Sequence, residues 1–85
     1  MEEKEIGFVS NYFGKISVAA IEITDDTVSV GNTLHFLGST TNFETTVDSM
    51  QVEHESVTEA KKGDSIGLKV PKRVRKSDKV YKVIV

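Results

Sequence analysis

Apolar and polar positions alternate along most of this chain, and helical spacing is hard to find, so the pattern predicts strands. Ile6, Phe8 and the run Ser10 to Tyr12 interleave with Gly7 and Val9, which predicts a first strand over residues 5–13. Phe13-Gly14-Lys15 then supplies a turn and implies a hairpin. The next run, 16–24, is apolar at 16, 18 and 20 and then at 21 and 23. An inward phase that slips by one is what a β-bulge produces. Asp25-Asp26 reads as a turn, and Val28, Val30 and Gly31 lead into a third strand, Leu34 to Gly38.

Residues 39–42 break that strand. Phe43, Thr45 and Val47 share one phase while Met50 and Val52 take the other, predicting a long fourth strand over 43–55 with a second slip near Ser49. The stretch 57–64 reads either as one helical turn ended by Gly63 or as an ordered loop. Ile66, Leu68 and Val70 form a fifth strand that Pro71 stops, and Tyr81, Val83 and Val85 carry a sixth to the last residue. Six strands, hairpin-sized connections and two bulge signals predict an all-β fold, a small closed six-stranded antiparallel barrel, forming one domain over 1–85. An SH3-like or OB barrel satisfies the same pattern.

Size and composition narrow the function classes. A chain of 85 residues is too short for a large enzyme with a deep cleft. The absence of cysteine removes disulfides, thiol nucleophiles and the usual structural zinc sites, and points to the cytoplasm. The charged start, Met1-Glu2-Glu3-Lys4-Glu5, is unlike a signal peptide, and no apolar stretch approaches the roughly 20 residues that span a bilayer. No membrane partner is expected.

Catalytic and cofactor signatures are missing. Gly63 to Lys69 fails the phosphate-loop spacing, because three residues separate the glycines and Leu68 stands where lysine should follow. No bound nucleotide is expected. His35 and His54 belong to no ligand array and read as structural residues, so no metal or cofactor is expected. Asp25-Asp26 reads as a turn and Glu53/Glu55 as a solvated strand face, on which His54 points away from both glutamates. None of the serines sits in a nucleophile elbow, so the expectation is a protein that is not an enzyme.

Charge carries the sharper signal. The net charge of −2 conceals a split: residues 1–60 hold two cations against eleven carboxylates, and residues 61–85 hold nine cations against two. Lys69, Lys72, Arg73, Arg75, Lys76, Lys79 and Lys82 crowd one short segment, a density that can neutralise phosphates. The same cations would equally form a solvated face that pairs with the acidic strands, and the pI near 5.6 is low for a dedicated RNA binder. Tyr12 and Phe13, beside Lys15, could stack on a base or could cap a barrel end.

The motif residues bring in a family. Phe13-Gly14-Lys15-Ile16, Val30-Gly31-Asn32-Thr33-Leu34, Ser49-Met50-Gln51, Glu59-Ala60-Lys61-Lys62-Gly63-Asp64-x-Ile66-Gly67-Leu68 and Lys76-Ser77-Asp78-x-Val80 resemble the second domain of translational GTPases, the barrel of elongation factor Tu and initiation factor 2. The chain is also similar to stand-alone elongation-factor-like proteins built of this barrel. Asn32 departs from the usual acid and Ser77 from the usual glycine, both at turns. The resemblance implies contact with ribosomal RNA or tRNA and no GTP hydrolysis, since that family holds its nucleotide in a separate domain. The matched residues are turn and core positions, so the resemblance transfers no ligand contacts.

The resulting expectation is a translation elongation factor-like module that binds RNA through Lys72, Arg73, Arg75, Lys76, Lys79 and Lys82, assisted by Lys15 and Tyr12. The alternative is a protein-interaction or accessory module docking on a partner enzyme or translation factor; a similar barrel ends some collagenase-like peptidase-family proteins implicated in RNA modification. A homodimer joined through the edge 83–85 is a third reading.

Overall fold

Ten antiparallel strands account for most of the computed structural model, which describes residues 2–84. They are β1 (Glu2–Phe13), β2 (Val18–Ile23), β3 (Thr27–Ser29), β4 (Thr33–Leu37), β5 (Asn42–Thr46), β6 (Met50–Val52), β7 (Glu55–Val57), β8 (Glu59–Lys61), β9 (Ser65–Lys69) and β10 (Lys79–Ile84). Eight of them form one sheet in the order β5-β4-β10-β1-β2-β9-β6-β7, and β3 pairs with β8 as a separate ribbon. No helix among the described residues is long and apolar enough to cross a membrane.

The all-β expectation holds, but the closed six-stranded barrel does not. Closure requires every strand to pair on both sides, and among the described residues β5 and β7 stand at the ends of the sheet without pairing each other. The predicted fourth strand is the cause. It divides into β5, β6 and β7, because Val47–Ser49 leave the ladder after β5 and a tight turn at Glu53 and His54, with φ of 51° and 66°, reverses the chain after β6. That turn also overturns the strand-face reading of Glu53, His54 and Glu55.

Both observed bulges lie on β1, not in the second strand or near Ser49 where the phase slips predict them. Register against β10 shifts between Glu5 and Gly7, and register against β2 shifts between Val9 and Asn11. Meanwhile β2 is regular, with Ala19, Ile21 and Ile23 buried and Val18, Ala20 and Glu22 outward. Ile16, Val18 and Ala20 therefore face outward, against the inward phase their spacing predicts. Their apolar character has a different use, described below.

The inner faces of the coiled sheet and the ribbon enclose the core. Ile6 and Val9 from β1, Leu34 and Phe36 from β4, Ile66 and Leu68 from β9, and Val80 from β10 are all at most 2% exposed. Val28 of β3 and Ala60 of β8 close the core from the ribbon side, so residues 57–64 contain a strand and not a helical turn. Phe36 and Phe43 stack with ring centroids 5.1 Å apart. No buried side-chain nitrogen or oxygen among the described residues lacks a hydrogen-bond partner, so the core is closed as well as apolar.

The predicted sixth strand is β10, whose buried residue is Val80, while Tyr81 and Val83 are half-buried. It pairs with β1 up to Ile84 but with β4 only over residues 79–82, so 83–84, the part of the dimer edge that is described, are paired on the β1 side alone; Val85 lies outside the described residues.

Candidate functional site

The segment between β9 and β10 carries four of the expected cations and is held rigidly from below. Val70 N–H donates to the Ser17 carbonyl at 2.9 Å, and Val74 is buried. The Asp78 carboxylate accepts hydrogen bonds from Arg75 N–H at 2.9 Å and Thr41 Oγ1 at 2.5 Å. Ser77 N–H donates to the Val9 carbonyl, and Val9 N–H to the Asp78 carbonyl, both at 2.8 Å. The loop is thus sewn to β1, and this brings it beside the end of the first hairpin. Asn11, Tyr12, Arg73, Val74, Arg75 and Lys76 line a single open hollow of about 430 Å³ there. Arg73, Arg75 and Lys76 are exposed and make no ion pair among the described residues.

Other members of the expected basic face are placed elsewhere or neutralised. Lys79 Nζ lies 3.5 Å from Glu5. Lys82 Nζ lies 3.3 Å from Asp26 and donates to the Thr27 carbonyl at 2.9 Å, with its side chain only 17% exposed. Lys15 sits in the turn after β1, and Lys72 is exposed; neither lines the hollow. Tyr12 does line it, but its ring also packs against the core, so it is no free stacking platform. The continuous positive face therefore breaks up, because β10 runs beside the acidic half of β1 and presents its lysines to carboxylates.

A second surface was not foreseen. Phe13, Ile16, Val18, Ala20 and Gly67 floor an outward groove of about 380 Å³ whose rim includes Glu53 and His54 at their tight turn. Phe13 is 47% and Ile16 60% exposed. The sequence did carry a signal for it: residues 16–23 are apolar on both strand faces, as in strands covered from both sides.

A third cluster joins β1, β4 and β5. Both carboxylate oxygens of Glu3 lie 2.9–3.0 Å from His35 Nδ1, and His35 Nε2 lies 2.6 Å from Asn42 Oδ1. Donor atoms of Glu3, His35 and Glu44 all fall within 4.8 Å of one another, so these are the residues that could take a cation. In the arrangement present the two ring nitrogens serve Glu3 and Asn42. Those two hydrogen bonds, with further attraction from the Glu3 and Glu44 charges, hold the His35 pKa above the usual histidine value against the opposing effect of burial. His35 is thus an ionic clasp between strands, with neither nitrogen left over for proton transfer. Asp26 is shifted the other way, its pKa lowered by the Thr27 N–H and then by Lys82.

No protein-family model matches the chain. Over 78 residues, 91% of its length, the chain is 45% identical to an uncharacterized protease of Methanocaldococcus jannaschii, and it covers 19% of that protein. A collagenase of Porphyromonas gingivalis is 32% identical over the same length and is covered to 22%. The chain spans about a fifth of the length of these relatives. Among solved structures, the C-terminal domain of a Geobacillus thermoleovorans protein named as a U32 peptidase superposes with a TM-score of 0.87 at 17% identity, over 95% of this chain and 93% of that one. The selenomethionine form of the same domain gives 0.84.

These likenesses overturn the translation-factor assignment, and with it the ribosomal RNA or tRNA partner. The motifs behind it have a local physical origin. Gly31 and Gly63 sit at φ of 97°, Ser77 at 74°, and Asp64 accepts the Lys61 N–H, so three of the motifs specify tight turns, a need that unrelated small antiparallel domains share. The chain carries the fold of the C-terminal domain of that U32 peptidase, and not that of an elongation-factor barrel.

Proposed function

We propose that this chain is a non-catalytic accessory module of a U32-type peptidase. The observation that carries the reading is the reach of the match: almost the whole chain aligns with about a fifth of a protease and of a collagenase, so the same unit accompanies a much larger body in both. The two histidines support the non-catalytic part. His35 has both ring nitrogens engaged, and His54 stands on a turn at the rim of an apolar groove.

A module of this kind needs a face for the body it serves. The groove floored by Phe13, Ile16, Val18, Ala20 and Gly67 supports that role, with the peptidase body as its occupant. Covering apolar surface is worth about 25 cal/mol per Å², and Ile16 and Phe13 expose the most to be covered.

The test uses the Methanocaldococcus protease truncated by the 78 residues that align here, with this chain supplied separately. Co-elution of the two on size exclusion, lost with Ile16→Asp, is the expected result. Failure to co-elute, or cleavage of gelatin by this chain alone that a single side-chain substitution abolishes, overturns the reading.

A further inference from the structure

We infer that the hollow between the first hairpin and the β9–β10 loop is a binding site for an acidic peptide segment, one that presents adjacent carboxylates to Arg73 and Arg75. This surface is distinct from the apolar groove, so the inference stands or falls independently of the docking role proposed above.

Three observations carry it. First, Arg73, Arg75 and Lys76 are exposed and free of ion pairs among the described residues, while Lys79 and Lys82 are engaged by Glu5 and Asp26. Of the free cations in this region these three line one hollow, while Lys69 and Lys72 lie outside it. Second, the loop backbone is fixed along its length: Val70 N–H donates to the Ser17 carbonyl at its start, Val74 is buried in its middle, and the bonds among Arg75, Ser77, Asp78, Thr41 and Val9 hold its end. A backbone held in this way loses little further freedom when a ligand binds, so the ordering cost falls on the side chains alone. Third, polar groups complete the hollow: Asn11 Oδ1 accepts the Tyr12 N–H at 2.8 Å, which leaves the Asn11 amide nitrogen as a donor beside the arginines.

The same geometry favours carboxylates over a nucleic-acid strand. A single-stranded nucleic acid is held by a track of cations along its backbone together with aromatic faces under its bases. Within the hollow the cations occupy only positions 73–76, and the Tyr12 ring packs against the core. Guanidinium forks pair with individual carboxylates through two parallel hydrogen bonds, which suits a short acidic stretch.

The experiment is fluorescence anisotropy with labelled hexaglutamate, an unlabelled hexauridylate competitor and the full chain. Binding is expected at about 50 mM salt and should fade toward about 500 mM. Arg73→Ala with Arg75→Ala should weaken it about tenfold or more, whereas the charge-matched Lys61→Ala with Lys62→Ala should leave it within about twofold. All four residues are exposed, and circular dichroism confirms that each variant is folded before titration. Equal losses in the two double variants reduce the effect to net charge and overturn the site. So does hexauridylate binding tighter than hexaglutamate, which would assign the hollow to nucleic acid, and so does the absence of any binding at low salt.

Discussion

A side chain on Gly38 would overlap the carboxylate of Asp78, so the end of β4 and the start of β10 meet only because one of them has no Cβ. Asp78 is 7% exposed, and its other carboxylate oxygen is held by Thr41 and by the Arg75 N–H. The carboxylate cannot swing aside without breaking both bonds. Gly38→Ala should therefore cost about 2–4 kcal/mol, as expected where a substitution forces a buried, hydrogen-bonded group to move. Urea denaturation reads this as a drop in midpoint at unchanged slope. Gly14→Ala is the control: the nearest atom to its added carbon is 3.7 Å away, and the change should stay within about 0.5 kcal/mol.

Ser77, next to Asp78, has φ of 74° while its N–H donates to the Val9 carbonyl. A residue with a Cβ is disfavoured there, and glycine is not, although glycine costs more backbone entropy on folding. The conformational relief should win by about 0.5–1 kcal/mol, so Ser77→Gly raises the thermal midpoint with the Val9 contact retained. A lower midpoint would mean that the hydroxyl contributes more than the strain costs.

Turn chemistry was the most legible part of this sequence, and face assignment the least. The turns at Asp25-Asp26 and Gly63 follow from residue type, because few residues accept a left-handed backbone, and Asp26 and Gly63 adopt one; the left-handed Gly31 reads in the sequence only as leading into a strand. Closure of the sheet is not local in that way. It depends on whether the strands after Val47 and His54 stay in one ladder, which their alternation alone could not decide. The second strand is apolar on both faces, so alternation had no contrast from which to choose the buried set. Of the residues chosen by type, Tyr12, Arg73, Arg75 and Lys76 line one hollow, whereas Lys15, Lys72, Lys79 and Lys82 do not. Pairing of Lys79 and Lys82 with Glu5 and Asp26 depends on which strands become neighbours, and that belongs to topology.

His35 makes stability depend on pH in a defined direction. Its folded pKa lies above the reference 6.5, first through the hydrogen bond to Glu3 and then through that to Asn42. The folded form therefore binds the proton more tightly than the unfolded chain. The stabilisation is complete below about pH 6.5 and is lost as pH rises through the folded pKa. Glu3 and Glu44 both face the ring and both favour the charged form, and the Tyr81 ring lies beside it with centroids 6.2 Å apart. Thermal midpoints should thus fall between about pH 5.5 and 8.5, and His35→Gln should remove most of that slope. A slope unchanged in the variant would assign the dependence to another group.

Lys82 belongs to the fold and not to a binding face. Its ammonium crosses from β10 to β3, donating to the Thr27 carbonyl and lying 3.3 Å from Asp26, while Lys4, at 3.6 Å, is the remaining cation near that carboxylate. Lys82→Met keeps the length and apolar stem of the side chain, so packing survives and only the charged contacts are lost. The Thr27 carbonyl then loses its donor, and stability should fall by about 1–2 kcal/mol in urea denaturation. The Asp26 pKa, held below 3.8 by the Thr27 N–H and Lys82, should rise toward that value without returning to it, since the N–H bond remains; carboxyl-detected NMR titration reads the change. A lowered folded pKa contributes stability above pH 3.8 that is lost as pH falls, so the variant should also lose part of its acid sensitivity. Hexaglutamate binding should be unaffected, because the charge removed was already neutralised inside the fold. A variant with normal stability but weakened binding would instead return Lys82 to the cationic surface.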